Sequence, residues 1–139
     1  MSTQFFPLEG CQASAAAMQT ALAAGELHLY KSSLVPDPST PLSAYTADEA
    51  DYDTYAAEAL TPWFNPILAP GTGYMIQSPE VQFEVGGSDP TTPNVIGGAY
   101  LVDAGGKLRV TIIFTEPIPM QLAGQGIPIN IVWLFPTGV

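Results

Sequence analysis

The chain has 139 residues, of which 13 are acidic and 3 are basic, and its net charge is −10. This is the length of one domain with its own apolar core. Because so acidic a surface repels phosphate backbones and anionic lipid headgroups, we expect neither nucleic-acid binding nor membrane binding.

The chain is predicted to begin with an arm, residues 1–12, followed by a single domain over residues 13–139. Phe5 and Phe6 are adjacent aromatic residues within the arm. Two exposed aromatic side chains are unfavourable in a free tail, so we expect them to dock on this domain or on a partner.

One helix and one strand are predicted next. Residues 13–24 are rich in Ala, the best helix former, with Ser14 in position to cap the start and Gly25 in position to end the helix. The alternation in residues 26–31 predicts a strand that carries His28 on its polar face.

The middle of the chain is rich in Pro and predicts mostly loops with short strands. Residues 32–41 are predicted as a loop and residues 42–46 as a short edge strand. An acidic loop follows at residues 47–53. The next segment, residues 54–64, is ambiguous and is interpreted as a strand, and residues 65–73 are interpreted as a loop.

Two strands and a hairpin are predicted after this. The strands are residues 74–76 and 80–85, and the hairpin is residues 94–115 with a Gly-rich turn at 103–107. Period-two alternation in the second strand of the hairpin places four side chains on one face, which are Leu108, Val110, Ile112 and Phe114.

Residues 116–126 are predicted as a loop leading to a last strand at residues 127–135. Val132 and Leu134 are apolar on the second face of this strand, so its end is predicted to be buried on both sides. Pro128 cannot donate to a β-ladder, which predicts that the strand begins at a sheet edge or beside a bulge.

These elements predict a mainly β, single-domain antiparallel β-sandwich, jelly-roll-like, with about seven or eight strands and one short N-terminal helix. A small barrel is the alternative.

The sequence contains no motif for catalysis or for a cofactor. His28 is the only histidine and Cys11 the only cysteine, and no serine lies in a G-x-S-x-G motif. We therefore expect no enzyme, no catalytic or metal residue and no cofactor. Carboxylates that act on a glycosidic bond are a further alternative with little specificity, because many acidic residues always supply some pair.

Four acidic residues between residues 48 and 53 raise the question of calcium. An EF-hand loop that starts at Glu49 needs Gly at position 54 and Glu at position 60, but the chain has Thr54 and Leu60. A looser calcium site and a solvated acidic loop both remain open.

Aromatic residues at polar positions allow a carbohydrate-binding interpretation. The four are Tyr30, Tyr45, Tyr52 and Trp63. They are suited either to stacking on sugar rings or to ordinary packing between sheets and loops.

The low charge content bears on the surface. Charged residues make up 12% of the chain, about half the roughly 25% of ordinary soluble domains. Such a surface is either rich in Ser, Thr and Gly or covered in an assembly. The N-terminus lacks the basic start and apolar core of a secretion signal, so we expect synthesis in a cytoplasm.

The order of segments resembles small accessory structural proteins of tailed bacteriophages. It runs from the Ala-rich helix through ELHLYKSS, TYAAEALTPWF, VQFEVGG and AYLVDAGGKLRVTIIF to EPIPM. The resemblance implies a head-decoration or minor capsid protein of the virion, made in the host cytoplasm and without enzymatic activity.

The expected partners are the major capsid protein or other virion proteins, with the chain as a homo-oligomer. Phe5, Phe6 and Pro128 are the candidate contacts. The alternative function is a carbohydrate- or receptor-binding β-sandwich module.

Overall fold

The structure is a computed structural model that describes residues 7–69 and 72–137. Within these residues the chain forms a mainly antiparallel β fold with an N-terminal helix, which confirms the predicted β-sandwich-like class. The helices are α1 (Leu8–Leu22) and α2 (Leu42–Ala47); the strands are β1 (Glu26–Lys31), β2 (Glu58–Ala59), β3 (Ile67–Ala69), β4 (Gly73–Gln77), β5 (Val81–Glu84), β6 (Asn94–Val102), β7 (Leu108–Met120), β8 (Gly126–Ile129) and β9 (Val132–Pro136).

The largest sheet has the order β2-β1-β6-β7 and is built around the predicted hairpin. β6 and β7 pair antiparallel, and β7 continues to Met120 through a segment that was predicted as loop. A bulge leaves Arg109 without an opposite residue, because Leu108 pairs with Val102 whereas Val110 pairs with Leu101. Leu108 therefore lies on the opposite face from Val110, and the prediction that it shares the face of Val110 is wrong.

The predicted last strand is two strands, β8 and β9, which belong to different sheets. β8 pairs with β5 in a two-stranded sheet, and β9 pairs with β4 in a sheet of order β3-β4-β9. The break lies at Ile131, whose N–H donates to the Ser78 hydroxyl and whose carbonyl accepts the Ser78 N–H. Ser78 lies between β4 and β5 and is followed by Pro79, just as Ile131 lies between β8 and β9. The two paired segments, β4–β5 and β8–β9, therefore pass from one sheet to the other at the same level.

One apolar core joins the three sheets and α1. Fully buried side chains come from each of them, including Leu22 on α1, Leu29 on β1, Ile76 on β4, Phe83 on β5 and Leu101 on β6. The predicted inward orientation of Phe83 on β5 is confirmed. Because every sheet contributes to the same cluster, the small sheets depend on the large one for their stability.

The opposite face of the large sheet is covered by α2, where an edge strand was predicted. Leu42 and Tyr45 are three residues apart, so a helix places both on one face, where they pack against Tyr30 and Tyr100. A strand would place these two side chains on opposite faces. Burial of both on one side therefore explains why the helix forms here and why the strand prediction is wrong.

The N-terminal helix differs from its prediction at both ends. α1 begins at Leu8, inside the segment predicted as an arm, with Pro7 rather than Ser14 at the N-cap. Gly25 does not adopt a left-handed conformation. A Cβ atom at Gly25 would lie 3.2 Å from the carbonyl oxygens of Leu22 and Val102, so the glycine permits a close approach of helix end and sheet.

Two boundaries in the middle of the chain also differ. Of residues 54–64, predicted as a strand, only Glu58–Ala59 pairs in a sheet. β3 lies within residues 65–73, which were predicted as a loop.

Candidate interaction surfaces

The outer face of the β3-β4-β9 sheet is apolar and exposed. Ile67, Met75 and Leu134 are directly opposite one another across the three strands and share this face. Ile67 and Leu134 are each 45% exposed, and Val132 on the same face is 52% exposed. We call Ile67, Met75, Val132 and Leu134 the outer patch.

The outer patch lies on strands without charge. β3, β4 and β9 contain no Asp, Glu, Lys or Arg, although the chain as a whole carries a net charge of −10. Phe64 is also exposed, and its N–H donates to the Gln77 carbonyl, which holds it beside the end of β4. Exposed contiguous apolar surface of this kind is typical of a surface that contacts another macromolecule.

The other face of the same sheet is covered. Ile76 is fully buried, and Tyr74, Trp133 and Phe135 pack against the core, with the rings of Trp133 and Phe135 stacked at 6.1 Å. α1 packs on this sheet, and the Cys11 thiol donates to the Pro136 carbonyl at 3.3 Å. The sheet is therefore apolar on both faces. Its second face is covered at β4 and β9, whereas Leu68 on β3 is 47% exposed.

Sequence reasoning missed the outer patch. Val132 and Leu134 were predicted to be buried on the second face of their strand, but both are exposed. The lack of charge in β3, β4 and β9 shows that these strands are apolar on both faces, but it does not show which of the two faces another element covers.

Of the partner contacts predicted from the sequence, Pro128 lies within the described residues and is not part of the outer patch. Phe5 and Phe6 lie outside the described residues. Pro128 is exposed on β8, opposite Gln82 of β5, in a two-stranded sheet. This confirms the prediction that Pro128 lies at a sheet edge.

The acidic loop directs its carboxylates to separate partners. Asp51 accepts from the Asn94 side-chain amide, and Asp53 accepts from Thr91 and from the Thr92 N–H. These hydrogen bonds from Thr91 and Thr92 hold the pKa of Asp53 below its usual value. Across residues 7–69 and 72–137, no three His, Cys, Asp or Glu side chains converge as a metal site would require.

Glu49 joins this loop to β1. His28 Nδ1 lies 2.6 Å from Glu49 Oε1, and the Tyr55 hydroxyl donates to the same oxygen at 2.7 Å. His28 also stacks on the Tyr100 ring at 4.9 Å. Burial and the neighbouring Glu49 raise the pKa values of Tyr55 and Tyr100, so both phenols stay neutral at physiological pH. The cluster holds the acidic loop on β1.

The four aromatic residues considered for sugar stacking are all buried. Tyr30, Tyr45, Tyr52 and Trp63 are between 1% and 5% exposed. This confirms packing as their role and excludes them as a sugar-stacking platform.

Neither helix of the described segments has the length and hydropathy required to cross a bilayer.

Comparison of this chain with protein-family models, curated proteins and solved structures found no match.

Proposed function

We propose that this protein is a non-enzymatic structural component of a tailed-bacteriophage virion. In this role it binds the capsid or another surface of the particle, as a head-decoration or minor capsid protein does. The observation that carries the proposal is the outer patch, an uncharged apolar sheet face on an otherwise acidic molecule. The order of sequence segments, which resembles that of such phage proteins, supports the same conclusion.

Docking would bury Ile67, Val132 and Leu134, which are about half exposed in the single chain. Full burial of an exposed aliphatic side chain contributes about 1.5–3 kcal/mol, so each of these contributes roughly half that amount. One such contact is weak, but a particle presents the same site many times, and an oligomer that engages several sites binds more tightly without new contacts.

The acidic remainder of the surface complements this role. Copies that carry a net charge of −10 repel one another at long range, which keeps exposed apolar faces apart in solution. At the docking surface, the uncharged strands avoid the cost of burying unpaired carboxylates. The outer patch therefore favours binding to a partner of complementary shape over non-specific association.

The test is co-sedimentation with purified particles produced from a phage genome that lacks this gene. A Leu134→Lys variant should bind at least tenfold more weakly than the wild type, because it places an unpaired ammonium group in the buried contact. The matched control is Leu122→Lys, an equal charge change at another exposed apolar residue. Leu122 lies in the turn after β7. In this turn the Gly124 N–H donates to the carbonyl of Val85, the residue that follows β5.

Equal binding of Leu134→Lys and the wild type would remove the outer patch from the proposal. Removal of residues 1–6 in the same assay tests Phe5 and Phe6, which remain predicted contacts. Absence of the wild-type chain from every particle fraction would overturn the proposed function itself.

A further inference from the structure

A cleft of about 260 Å³ lies between the loop that follows β1 and the face of β7 that is turned toward α2. Its apolar walls are Pro36 and Pro38 on the loop and Leu108 and Ile113 on β7. Leu108 reaches the cleft because the bulge in the β6–β7 ladder turns it to this face. The cleft is smaller than the roughly 300–1,000 Å³ of typical small-molecule pockets, so its size suits a single side chain.

The loop wall of the cleft is held in shape by hydrogen bonds around Asp37. The Asp37 N–H donates to Thr40 Oγ1 at 2.9 Å, and the Thr40 N–H donates to the Asp37 carbonyl at 3.0 Å. Two prolines restrict the backbone of the same loop. The cleft is therefore formed before a ligand arrives, which lowers the ordering cost of binding.

Asp37 also brings a negative charge to the lining of the cleft. Hydrogen bonds from Ser39 and Thr40 hold the pKa of Asp37 below its usual value, so the carboxylate is ionised at physiological pH. The Ser39 N–H, the Ser39 hydroxyl and the Thr40 hydroxyl all donate to Oδ1, at distances from 2.6 to 3.4 Å. Oδ2 is therefore the oxygen that remains for a donor from a ligand.

The basic residues of the chain do not neutralise this carboxylate. Lys31 Nζ lies 3.6 Å from Asp51 Oδ2, and Arg109 Nε lies 2.7 Å from Asp103 Oδ2. Lys107, the third basic residue, closes the hairpin turn and does not line the cleft. Because the chain carries a net charge of −10, its field also attracts cations and repels anions. Charge complementarity therefore favours a cationic group from another molecule.

We propose that this cleft binds a lysine side chain presented by another protein. The aliphatic stem of the lysine lies against Leu108, Ile113 and the two prolines, and its ammonium group donates to Asp37 Oδ2. Such a stem covers Ile113, which is 65% exposed in the single chain. The site thus accounts for an exposed isoleucine and an unneutralised carboxylate beside the same cleft.

Lysine is favoured over arginine by the state of the carboxylate. A guanidinium group binds most strongly when it pairs with both oxygens of a carboxylate, whereas an ammonium group is a point charge that needs one. At Asp37 one oxygen already accepts from Ser39 and Thr40. The Tyr45 hydroxyl and Thr111 Oγ1 at the base of the cleft lie 2.7 Å apart and pair with each other, so the carboxylate determines which ligand is accepted.

The first experiment follows the amide chemical shifts of the full chain by NMR. The probe is a short alanine peptide with blocked ends and one central lysine. The amides of Thr40, Thr111 and Ile113 should shift until the site is saturated. A peptide with norleucine in place of lysine keeps the stem without the charge and should bind about tenfold more weakly. A peptide with arginine carries the same charge and should bind about threefold more weakly.

The second experiment repeats the titration with variants of the chain. Asp37→Asn keeps an oxygen that accepts the loop hydrogen bonds but removes the charge, so it should weaken lysine binding about tenfold. The matched control is Glu84→Gln, which removes one negative charge from an exposed residue of β5 and should leave binding unchanged. Ile113→Thr retains a residue suited to a strand and should also weaken binding, because it shortens the apolar wall.

Absence of saturable shifts at the cleft amides would overturn the proposal. Equal binding of the norleucine and lysine peptides, or unchanged lysine binding by a folded Asp37→Asn variant, would overturn it as well. Arginine binding as tight as lysine binding would overturn the choice of lysine. These titrations involve neither a phage particle nor the outer patch, so their outcome is independent of the proposed function.

Discussion

Gly98 shows how one residue determines the packing of the large sheet. It lies opposite Tyr30 across the β1–β6 ladder, and the Tyr30 hydroxyl passes over it to reach the Ile112 carbonyl on β7. Burial of this phenol raises the pKa of Tyr30 to about 12. A glycine is needed at this point because any side chain would occupy the path of the Tyr30 ring.

Substitution of Gly98 by Ala should lower the free energy of unfolding by about 1–3 kcal/mol, the usual cost of overpacking. A Cβ atom at this position would collide with the Ile112 carbonyl oxygen and the Tyr30 hydroxyl. Urea denaturation measures the change. Gly87→Ala is the matched control, because a Cβ atom there meets nothing within 4 Å. Equal stability of the two variants would contradict the packing described for Tyr30.

The β6–β7 hairpin depends on Asp103 at the scale of the element. The Asp103 carboxylate accepts the Gly105 and Lys107 N–H groups at 2.9 Å and Arg109 Nε at 2.7 Å. The Lys107 N–H and the Arg109 guanidinium hold the pKa of Asp103 below its usual value. Gly106 has a φ of +78°, which confirms the predicted turn.

Asp103→Asn should destabilise the protein at neutral pH and reduce its sensitivity to acid. Because the folded-state pKa of Asp103 is lowered, the ionised carboxylate contributes stability above its unfolded pKa of about 3.9. This contribution decreases as the pH falls through the lower folded-state pKa. The stability difference between wild type and variant should therefore be constant from about pH 5 to pH 8 and shrink below about pH 4.

Urea denaturation over this pH range measures the difference. Glu84→Gln, at an exposed residue of β5, serves as the control for loss of one negative charge. A stability difference between wild type and Asp103→Asn that does not change with pH would show that the carboxylate charge does not stabilise the hairpin.

The whole molecule should unfold as one unit, because the core contains buried residues from all three sheets and α1. Trp63 is buried and its carbonyl accepts the Gln19 side-chain amide of α1, while Trp133 lies on β9. Both tryptophans thus report on the side of the core that faces α1. Far-UV circular dichroism reports mainly on the long hairpin.

We expect the fluorescence and circular-dichroism midpoints in urea to coincide. An earlier fluorescence transition would show that the β3-β4-β9 sheet separates from the large sheet before global unfolding. Such a result would mean that the outer patch belongs to a separately unfolding part of the chain.

The local pattern of the sequence was sufficient for the β class, the hairpin with its turn, the alternation in β5 and the edge position of Pro128. These features depend on side-chain period and on backbone restrictions at Gly and Pro, which act over a few residues. The α2 segment was mistaken for a strand because a six-residue stretch carries too little periodicity to distinguish the two.

Only the tertiary structure decided which apolar faces are covered. Tyr30 was predicted on a polar face and is buried by α2, whereas Leu134 was predicted to be buried and is exposed. A strand that is apolar on both faces has the same sequence whether or not another layer covers it. Burial depends on the elements that pack against it, and their positions arise from contacts between residues far apart in the chain.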